Sequence, residues 1–431
     1  MVKKKVCISP VWLVDGPAGP RTLKNSVDYC TRCNACVQSC PSYLLRREEA
    51  FSPRGRNQLI RLLLERKIKP QDNAVLLNQV FSSCLLCTRC TAACAGALPV
   101  AQHVLALRRA TDKHMLPAGV KSLLRLYGTH PALFDAIVRL LRLLGKAGLL
   151  RLLCLLGLCR LPALRWIKHA DDILPKNGKT LQHLLKKQHI LSAAEPEALY
   201  LPSLEAQYAD GQIGLLTLRL LADKKTQIWL GQACGLFEYA YGEQSLCLLQ
   251  AKRLLTRWES ASKRRSLPLL TDSLEVYLFL KHYPVLFASL PGWRKRAEKL
   301  AARVKYVTDY SFTFSSKKEL PARSTALDAS SWLYPPGPLT ERARKIIKTH
   351  LGKNFVECEY SRFVVAVGGS AFTGSGPEQQ TTFENVKDVA RRQLRQVFCL
   401  SGWAALELDA ALRRHYPQAR ARHIVYLQTE P

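Results

Sequence analysis

The sequence predicts an α+β protein in four parts: a helical N-terminal domain folded around cysteine-rich loops, a Leu/Arg-rich helical region, and two C-terminal α/β modules. Three observations carry this prediction. Two cysteine runs of identical spacing fall near the N-terminus, leucine and arginine dominate the stretch from Leu123 to Ile167, and beyond Ala194 short apolar runs alternate with helical patterns.

Composition sets the frame for each part. The chain has 431 residues, 64 Lys+Arg against 33 Asp+Glu for a net charge of +31, and 48% hydrophobic residues. At roughly 100–200 residues per domain, that is enough apolar material for several cores, and it excludes a disordered tail or a collagen-like fibre. Of 15 cysteines, eight sit in two short runs whose neighbouring thiols are too close in sequence to pair comfortably as disulfides. A reducing compartment and a metal are therefore expected. Met1 to Lys5 begins like the basic end of a signal peptide, but Pro10 and Asp15 break the apolar stretch that follows. With no small-residue cleavage site after it, no signal peptide is expected.

The first run is Cys30-Thr-Arg-Cys33-Asn-Ala-Cys36-Val-Gln-Ser-Cys40-Pro41, and the second is Cys84-Leu-Leu-Cys87-Thr-Arg-Cys90-Thr-Ala-Ala-Cys94. Each reads C-x2-C-x2-C-x3-C. Three thiolates spaced in this way line a tight loop and hold three irons of one cubane, while the fourth is directed to a second cubane. The spacing thus predicts one 4Fe-4S cluster on Cys30, Cys33, Cys36 and Cys94, and another on Cys84, Cys87, Cys90 and Cys40. Structural zinc would instead draw two C-x2-C pairs separated by a longer loop. Ala95 stands where the bacterial-type pattern would place a second proline, which removes loop rigidity and no ligand.

Between the runs, Phe51-Ser52-Pro53-Arg54-Gly55-Arg56 precedes Asn57 to Arg66, which is apolar at helical spacing. This reads as a turn that starts a helix. The two runs, the S-P-R-G-R segment and the helix together resemble the iron–sulfur subunit of bacterial glycolate oxidase and its heterodisulfide-reductase-related relatives. The resemblance is strong over the N-terminal ~110 residues and fainter beyond. It implies a dicluster 4Fe-4S ferredoxin-type domain over 1–110, followed by two modules each marked by a Cys-Cys-Gly element.

The region 111–195 is leucine-dense and interrupted by Arg125, Arg139, Arg142, Lys146, Arg151, Arg160 and Arg165; its longest uncharged segment, Leu152 to Cys159, has eight residues. That is far short of the ~20 needed to span a bilayer. Arg139, Arg142 and Lys146 share one helical face and leave a leucine face opposite, suited to an anionic membrane surface or a partner subunit. The plainer reading is a helical hairpin packed on its own domain with a solvated basic edge, with Cys154 and Cys159 as buried small hydrophobes.

In the C-terminal half, Thr226 to Leu230, Leu267 to Leu270, Arg362 to Val367 and His423 to Leu427 read as strands; Gln244 to Trp258 and Asn385 to Val397 read as helices. This alternation gives two mainly parallel modules, 196–315 and 316–431, divided near Ser315-Ser316-Lys317-Lys318. In the resembled family such modules bring cysteines to a third iron–sulfur centre, and here those positions are degenerate. Gly231-Gln232-Ala233-Cys234-Gly235 keeps one thiol, Thr271-Asp272-Ser273 none, Ala366-Val367-Gly368-Gly369-Ser370 none, and Leu327-Asp328-Ala329-Ser330 none. Cys399 is displaced from the pattern. Iron in such clusters needs thiolates, so the third centre is expected to be absent and Cys234, Cys247, Cys358 and Cys399 to be core residues. The glycine-rich Gly368 to Gly376 matches neither G-x-G-x-x-G nor a Walker A loop and reads as a turn. His103 and His114 read as structural or solvated.

No catalytic residue is expected in this chain. The resemblance implies an electron-transfer subunit beside an FAD-binding dehydrogenase that oxidises a small 2-hydroxy acid such as glycolate or lactate. Its electrons would leave for a membrane or quinone acceptor, and the chain would be cytoplasmic, peripheral on the inner face of the membrane. Two other classes are weighed against this. Nucleic-acid binding would use the +31 charge, but the basic residues are spread along the chain with no recognised nucleic-acid module. A non-catalytic scaffold would account for the degenerate modules and is compatible with electron transfer.

Overall fold

The computed structural model of the chain describes residues 13–14, 19–110, 118–149, 152, 155–156, 179–221, 224–263, 266–309, 324–327, 337–356 and 376–428. The readings for Arg362 to Val367, Gly368 to Ser375, Ser315 to Lys318, Asp328 to Ser330, Cys154, Cys159, Cys358 and His114 lie outside these residues.

A short antiparallel ribbon, β1 (Leu13–Val14) with β2 (Arg21–Thr22), leads into six helices: α1 (Leu23–Asp28), α2 (Pro41–Arg46), α3 (Pro53–Leu64), α4 (Ala74–Ser82), α5 (Arg89–Ala92) and α6 (Val100–Ala110). The expected turn before α3 is a helix cap. Ser52 Oγ accepts from Gly55 N at 2.8 Å and Pro53 occupies the first helical position, where its missing N–H costs nothing. Ile60 and Leu63 then bury the inward face of α3.

The Leu/Arg region forms a hairpin, α7 (Ala118–Thr129) and α8 (Pro131–Lys146). It packs on the chain itself through Tyr127, Phe134 and Tyr208, whose ring centroids lie 5.1–6.2 Å apart. The basic edge is less solvated than the sequence predicts. Arg142 is half-buried and donates to the Ala209 carbonyl at 3.2 Å, and Arg139 donates to Gln182 Oε1 at 2.9 Å. The Arg142 bond turns that side chain toward the protein, Arg139 stays exposed, and Leu140 (55%) and Leu143 (64%) face outward as well. Among the described residues, no helix is long and apolar enough to cross a membrane.

Among the described residues, the C-terminal half holds two sheets of parallel strands. The first has strand order β4 (Thr226–Ile228), β3 (Ala198–Leu201), β5 (Leu269–Thr271), β6 (Val304–Tyr306); the second has order β7 (Ser324–Leu327), β8 (Gln396–Cys399), β9 (Arg420–His423). Central β3 is buried at all four positions, which is why Ala-Leu-Tyr-Leu shows no alternation of apolar and polar residues. The helix Gln244–Ala261 extends the expected one and buries Cys247, Ala251, Leu254, Leu255 and Trp258 along one face.

Two expected elements are corrected. The strand read at His423–Leu427 is Arg420–His423; Ile424–Gln428 is a 3-10 turn whose Ile424 and Val425 fill the core between the modules. The helix read at Asn385–Val397 is Gly376–Arg391, ended by left-handed Gln393 (φ 52°), and the apolar residues after it belong to β8.

One continuous core runs from Val27 and Ile60 through Leu124 and Phe134 to Trp229, Leu254 and Phe279, so the cysteine-rich domain, the hairpin and the first module share it. Arg108 reinforces this junction from a buried position. Its guanidinium donates to the carbonyls of Phe81 (2.9 Å) and Cys84 (2.7 Å) on one side and of Ala240 (2.9 Å) on the other.

Candidate metal centre

The two cysteine runs fold along the same backbone path. In each, the second residue after the first cysteine and the residue after the second cysteine take left-handed conformations: Arg32 (φ 61°) and Asn34 (φ 71°) in one, Leu86 (φ 54°) and Thr88 (φ 56°) in the other. Non-glycine residues adopt this region at a cost of about 1–3 kcal/mol each. Repeated at matching offsets, it curls successive backbone N–H groups into a concavity of the kind that receives phosphates and iron–sulfur clusters. Consistent with this, N–H groups around the loop, Ala35 first, act on the Cys33 sulfur and lower its pKa.

The fold gathers thiols across the two runs. Half-buried Cys36 lies among Cys30, Cys94 and Cys33; burial first, and then repulsion from these sulfurs, pushes its pKa up to about 11. Cys87 is buried, and its desolvation, with Cys40 and Cys84 close by, raises its pKa to about 12 although Arg89 pulls the other way. Cys90 is raised by burial and then by Cys87, Cys84 and Cys40, with Cys36 a weaker neighbour. One set of neighbours is thus Cys30, Cys33, Cys36 and Cys94, the other Cys84, Cys87, Cys90 and Cys40. Cys36, Cys87 and Cys90, raised in this way, hold their protons in the metal-free protein and would release them on binding iron. Among the described residues, no three His, Cys, Asp or Glu side chains converge as they would around one metal ion. A cubane asks for a wider spacing, because each thiolate holds a different iron. Two sets of four thiols match the ligand count of two cubanes.

The two sets differ in access to water. Cys33 is exposed and Cys30, Cys36 and Cys94 are partly so; they line a cavity of about 570 Å³ together with Tyr29, Arg54 and Asn57. In the second set Cys40 and Cys87 are 7% and 8% exposed, while Cys84 and Cys90 are partly exposed and Cys90 also borders that cavity. Cys40 caps α2 ahead of Pro41, and its Sγ donates weakly to the Phe51 carbonyl at 3.8 Å.

The S-P-R-G-R segment lies between the sets, and the sequence reading underestimated it as only a helix start. Arg54 pairs with Glu49 at 2.7 Å and also donates to Asn34 Oδ1 in the first cysteine loop. Gly55 packs against the backbone of the 3-10 turn Glu49–Phe51, where a Cβ would lie 2.0 Å from the Glu49 oxygen. Arg56 is 1% exposed. It donates to the Val80 carbonyl (3.0 Å), to Ser83 Oγ (2.9 Å) and to Cys40 Sγ (3.5 Å). Burial opposes its charge, but the nearby sulfurs of Cys84, Cys40 and Cys90 outweigh burial and raise its pKa.

His103 is structural. It is fully buried, with Nδ1 2.8 Å from Asn57 Oδ1 and Nε2 2.7 Å from Ser26 Oγ. Because Asn57 Oδ1 only accepts, the proton sits on Nδ1, and Nε2 accepts from Ser26. Burial lowers its pKa to about 3 and keeps the ring neutral.

The described C-terminal cysteines, Cys234, Cys247 and Cys399, are not brought to one place. Cys234 and Cys247 adjoin each other in the first module, where Tyr283 OH donates to the Cys234 carbonyl at 2.6 Å, while Cys399 is packed with Val397 and Leu408 in the core of the second. Where the sequence reading sought a lost ligand at Thr271-Asp272-Ser273, the structure has a buried polar knot. Asp272 accepts from Tyr200 OH (2.5 Å) and Ser203 N (2.9 Å), Ser273 Oγ donates to Glu275 (2.8 Å), and buried Glu205 stands nearby. Burial raises the Asp272 pKa to about 6 and that of Glu205, also repelled by Glu275 and Asp272, well above the usual range. Isolated acidic residues among apolar runs gave no sequence signal for this knot.

Residues 26–97 match the family described as a 4Fe-4S dicluster domain. The chain is also 25% identical over 304 residues to a probable glycolate oxidase iron-sulfur subunit of Bacillus subtilis (strain 168), a match covering 65% of this chain and 64% of that protein. No solved structure matches. Cysteine spacing, loop geometry and both matches agree on a 4Fe-4S dicluster domain over residues 26–97, in a chain similar to a probable glycolate oxidase iron-sulfur subunit of which it spans just under two thirds.

Proposed function

We propose that this chain is the electron-transfer subunit of a flavin-dependent 2-hydroxy-acid oxidoreductase, with one 4Fe-4S cluster held by Cys30, Cys33, Cys36 and Cys94 and a second by Cys84, Cys87, Cys90 and Cys40. The observation that carries this reading is the exchange of the fourth thiols, which puts Cys94 beside Cys36 and Cys40 beside Cys87. Bound there, the clusters would accept and release single electrons, matching a two-electron flavin step to a one-electron acceptor. The chain's own residues supply the rest. Thiolates hold the irons, the left-handed turns aim N–H groups inward, Leu85 and Leu86 keep water from the second set, and the open cavity at the first gives a partner access.

The proposal keeps the division into 1–110, 111–195, 196–315 and 316–431, with the C-terminal modules serving as docking surface. The partner is an FAD-binding dehydrogenase subunit, and the acceptor lies at the inner face of the cytoplasmic membrane, which the chain touches peripherally. Support for partner and substrate is the similarity to the Bacillus subtilis protein, a probable glycolate oxidase iron-sulfur subunit. Replacing Cys33 and Cys87 by alanine tests the role in the assembled complex. The subunits should still associate while turnover with the membrane acceptor is lost; assembly with turnover retained would leave a scaffold and overturn the conduit.

A further inference from the structure

Arg56 carries a burden that the fold alone does not explain. It is a fully buried cation whose hydrogen-bond partners are a carbonyl, a hydroxyl and a sulfur, with no carboxylate among them. An uncompensated buried charge costs several kcal/mol. A neutral residue could cap Val80 and fill the space at lower cost, so the positive charge must be balanced by something at the sulfur end. At that end the guanidinium meets the Cys40 sulfur at 3.5 Å. Four thiolates around a cubane carry net negative charge, which grows on reduction.

We propose that Arg56 sets the reduction potential of the buried cluster and makes it the electron sink of the pair. The inference rests on the two-cluster assignment above. Burial by itself disfavours the more negative reduced state and would place the Cys40/Cys84/Cys87/Cys90 cluster below its exposed neighbour in potential. Arg56 opposes this. Its guanidinium is fixed by Val80 and Ser83, donates to the Cys40 sulfur and stands in a region of low dielectric, where an N–H···S bond and a fixed charge both favour the reduced state. Arg89 also faces Cys87 but is half-buried and screened by water, so its effect is smaller. The exposed cluster would then be the port and the buried one the collector, and Arg56 is a positioning residue for electron flow.

The experiment is a potentiometric titration of anaerobically purified full-length protein followed by electron paramagnetic resonance, with iron and sulfide measured on every sample. A soluble paramagnetic relaxant assigns the signals, because it broadens the cluster at the exposed Cys33 more strongly than the one held by buried Cys40 and Cys87. Arg56→Gln should move the partition of the electron toward the exposed cluster by at least tenfold, which is 59 mV for one electron. Arg56→Lys should move it less, and Arg89→Gln less again. Full iron and sulfide with unshifted potentials in Arg56→Gln would overturn the inference and leave the cluster assignment standing. Absence of two clusters from the unaltered protein would overturn the assignment itself. Should Arg56→Gln fail to load, double resonance on unaltered protein labelled with guanidino-15N arginine decides. A nitrogen coupling in the relaxant-protected signal is expected, and its absence refutes contact between the guanidinium and that cluster.

Discussion

Gly55→Ala sets two physical effects of opposite sign against each other. Gly55 lies in the first turn of α3, and helix propensity alone favours alanine over glycine by about 1 kcal/mol. The structure predicts the reverse. An added Cβ would sit 2.0 Å from the Glu49 carbonyl oxygen and 2.8 Å from its carbon, both rigid backbone atoms. Ordinary contact begins near 3.4 Å, so the helix and the 3-10 turn must part by roughly 1.4 Å, an overpacking that typically costs 1–3 kcal/mol. The displacement also carries Arg56 away from Val80, Ser83 and Cys40, and hydrogen bonds to a charged group contribute about 1.5–3 kcal/mol each. Net destabilisation above about 3 kcal/mol is expected, read as a lower urea midpoint and a loss of iron from anaerobically purified protein. An unchanged or raised midpoint with full iron content would refute the argument and show that propensity outweighs packing at this position.

Three further outcomes follow from the same structure. Cys94→Ser, although in the second run, should alter the relaxant-accessible signal, and Cys40→Ser the protected one; the opposite assignment would break the exchange of fourth thiols. Glu238 is buried with a pKa raised by desolvation to about 7, against 4.5 unfolded, so its stabilising protonated form is full below pH 4.5 and lost as pH rises through 7. Relative to the unaltered protein, Glu238→Gln should therefore gain about 3 kcal/mol between pH 4.5 and pH 8, and a pH-independent difference in urea unfolding would contradict this. Leu143→Gln, on the exposed side of α8, should change stability by no more than about 0.5 kcal/mol, whereas Leu124→Gln, 3% exposed on α7, should cost 2 kcal/mol or more; equal thermal midpoints would show the exposures to be wrong.

The gathering of the cysteines was legible in the sequence because its determinant is local. C-x2-C-x2-C-x3-C sets three thiols along one loop by spacing, and the repeat of the run brings one thiol of each run beside the other. The cap at Ser52 and the buried faces of α3 and Gln244–Ala261 were legible for the same reason, since a helix writes its environment at intervals of three and four residues. The elements that were misread are those whose environment is set from afar. Leu394 and Val397 continue a helical apolar pattern, yet left-handed Gln393 ends the helix and Val397 joins the second sheet. Ile424, Val425 and Leu427 look like a strand but serve as filling between two modules. Arg56 and the Glu205–Asp272–Glu275 knot were invisible because charged residues are solvated by default, and only tertiary contacts reveal which ones are buried. On α8, the charge pattern was read correctly and its direction only in part. The Ala209 carbonyl turns Arg142 inward, against the simple rule that charge faces water, while Arg139 stays exposed and bonds Gln182 at the surface.

The central claim is that two separate sets of four thiols each hold an iron–sulfur cubane. Iron, zinc and acid-labile sulfide per chain, measured on one anaerobic preparation with electron paramagnetic resonance after reduction, test it most directly. About eight irons and eight sulfides with two reduced-cluster signals are expected. Stoichiometric zinc without iron, or iron for a single cubane, would contradict the account.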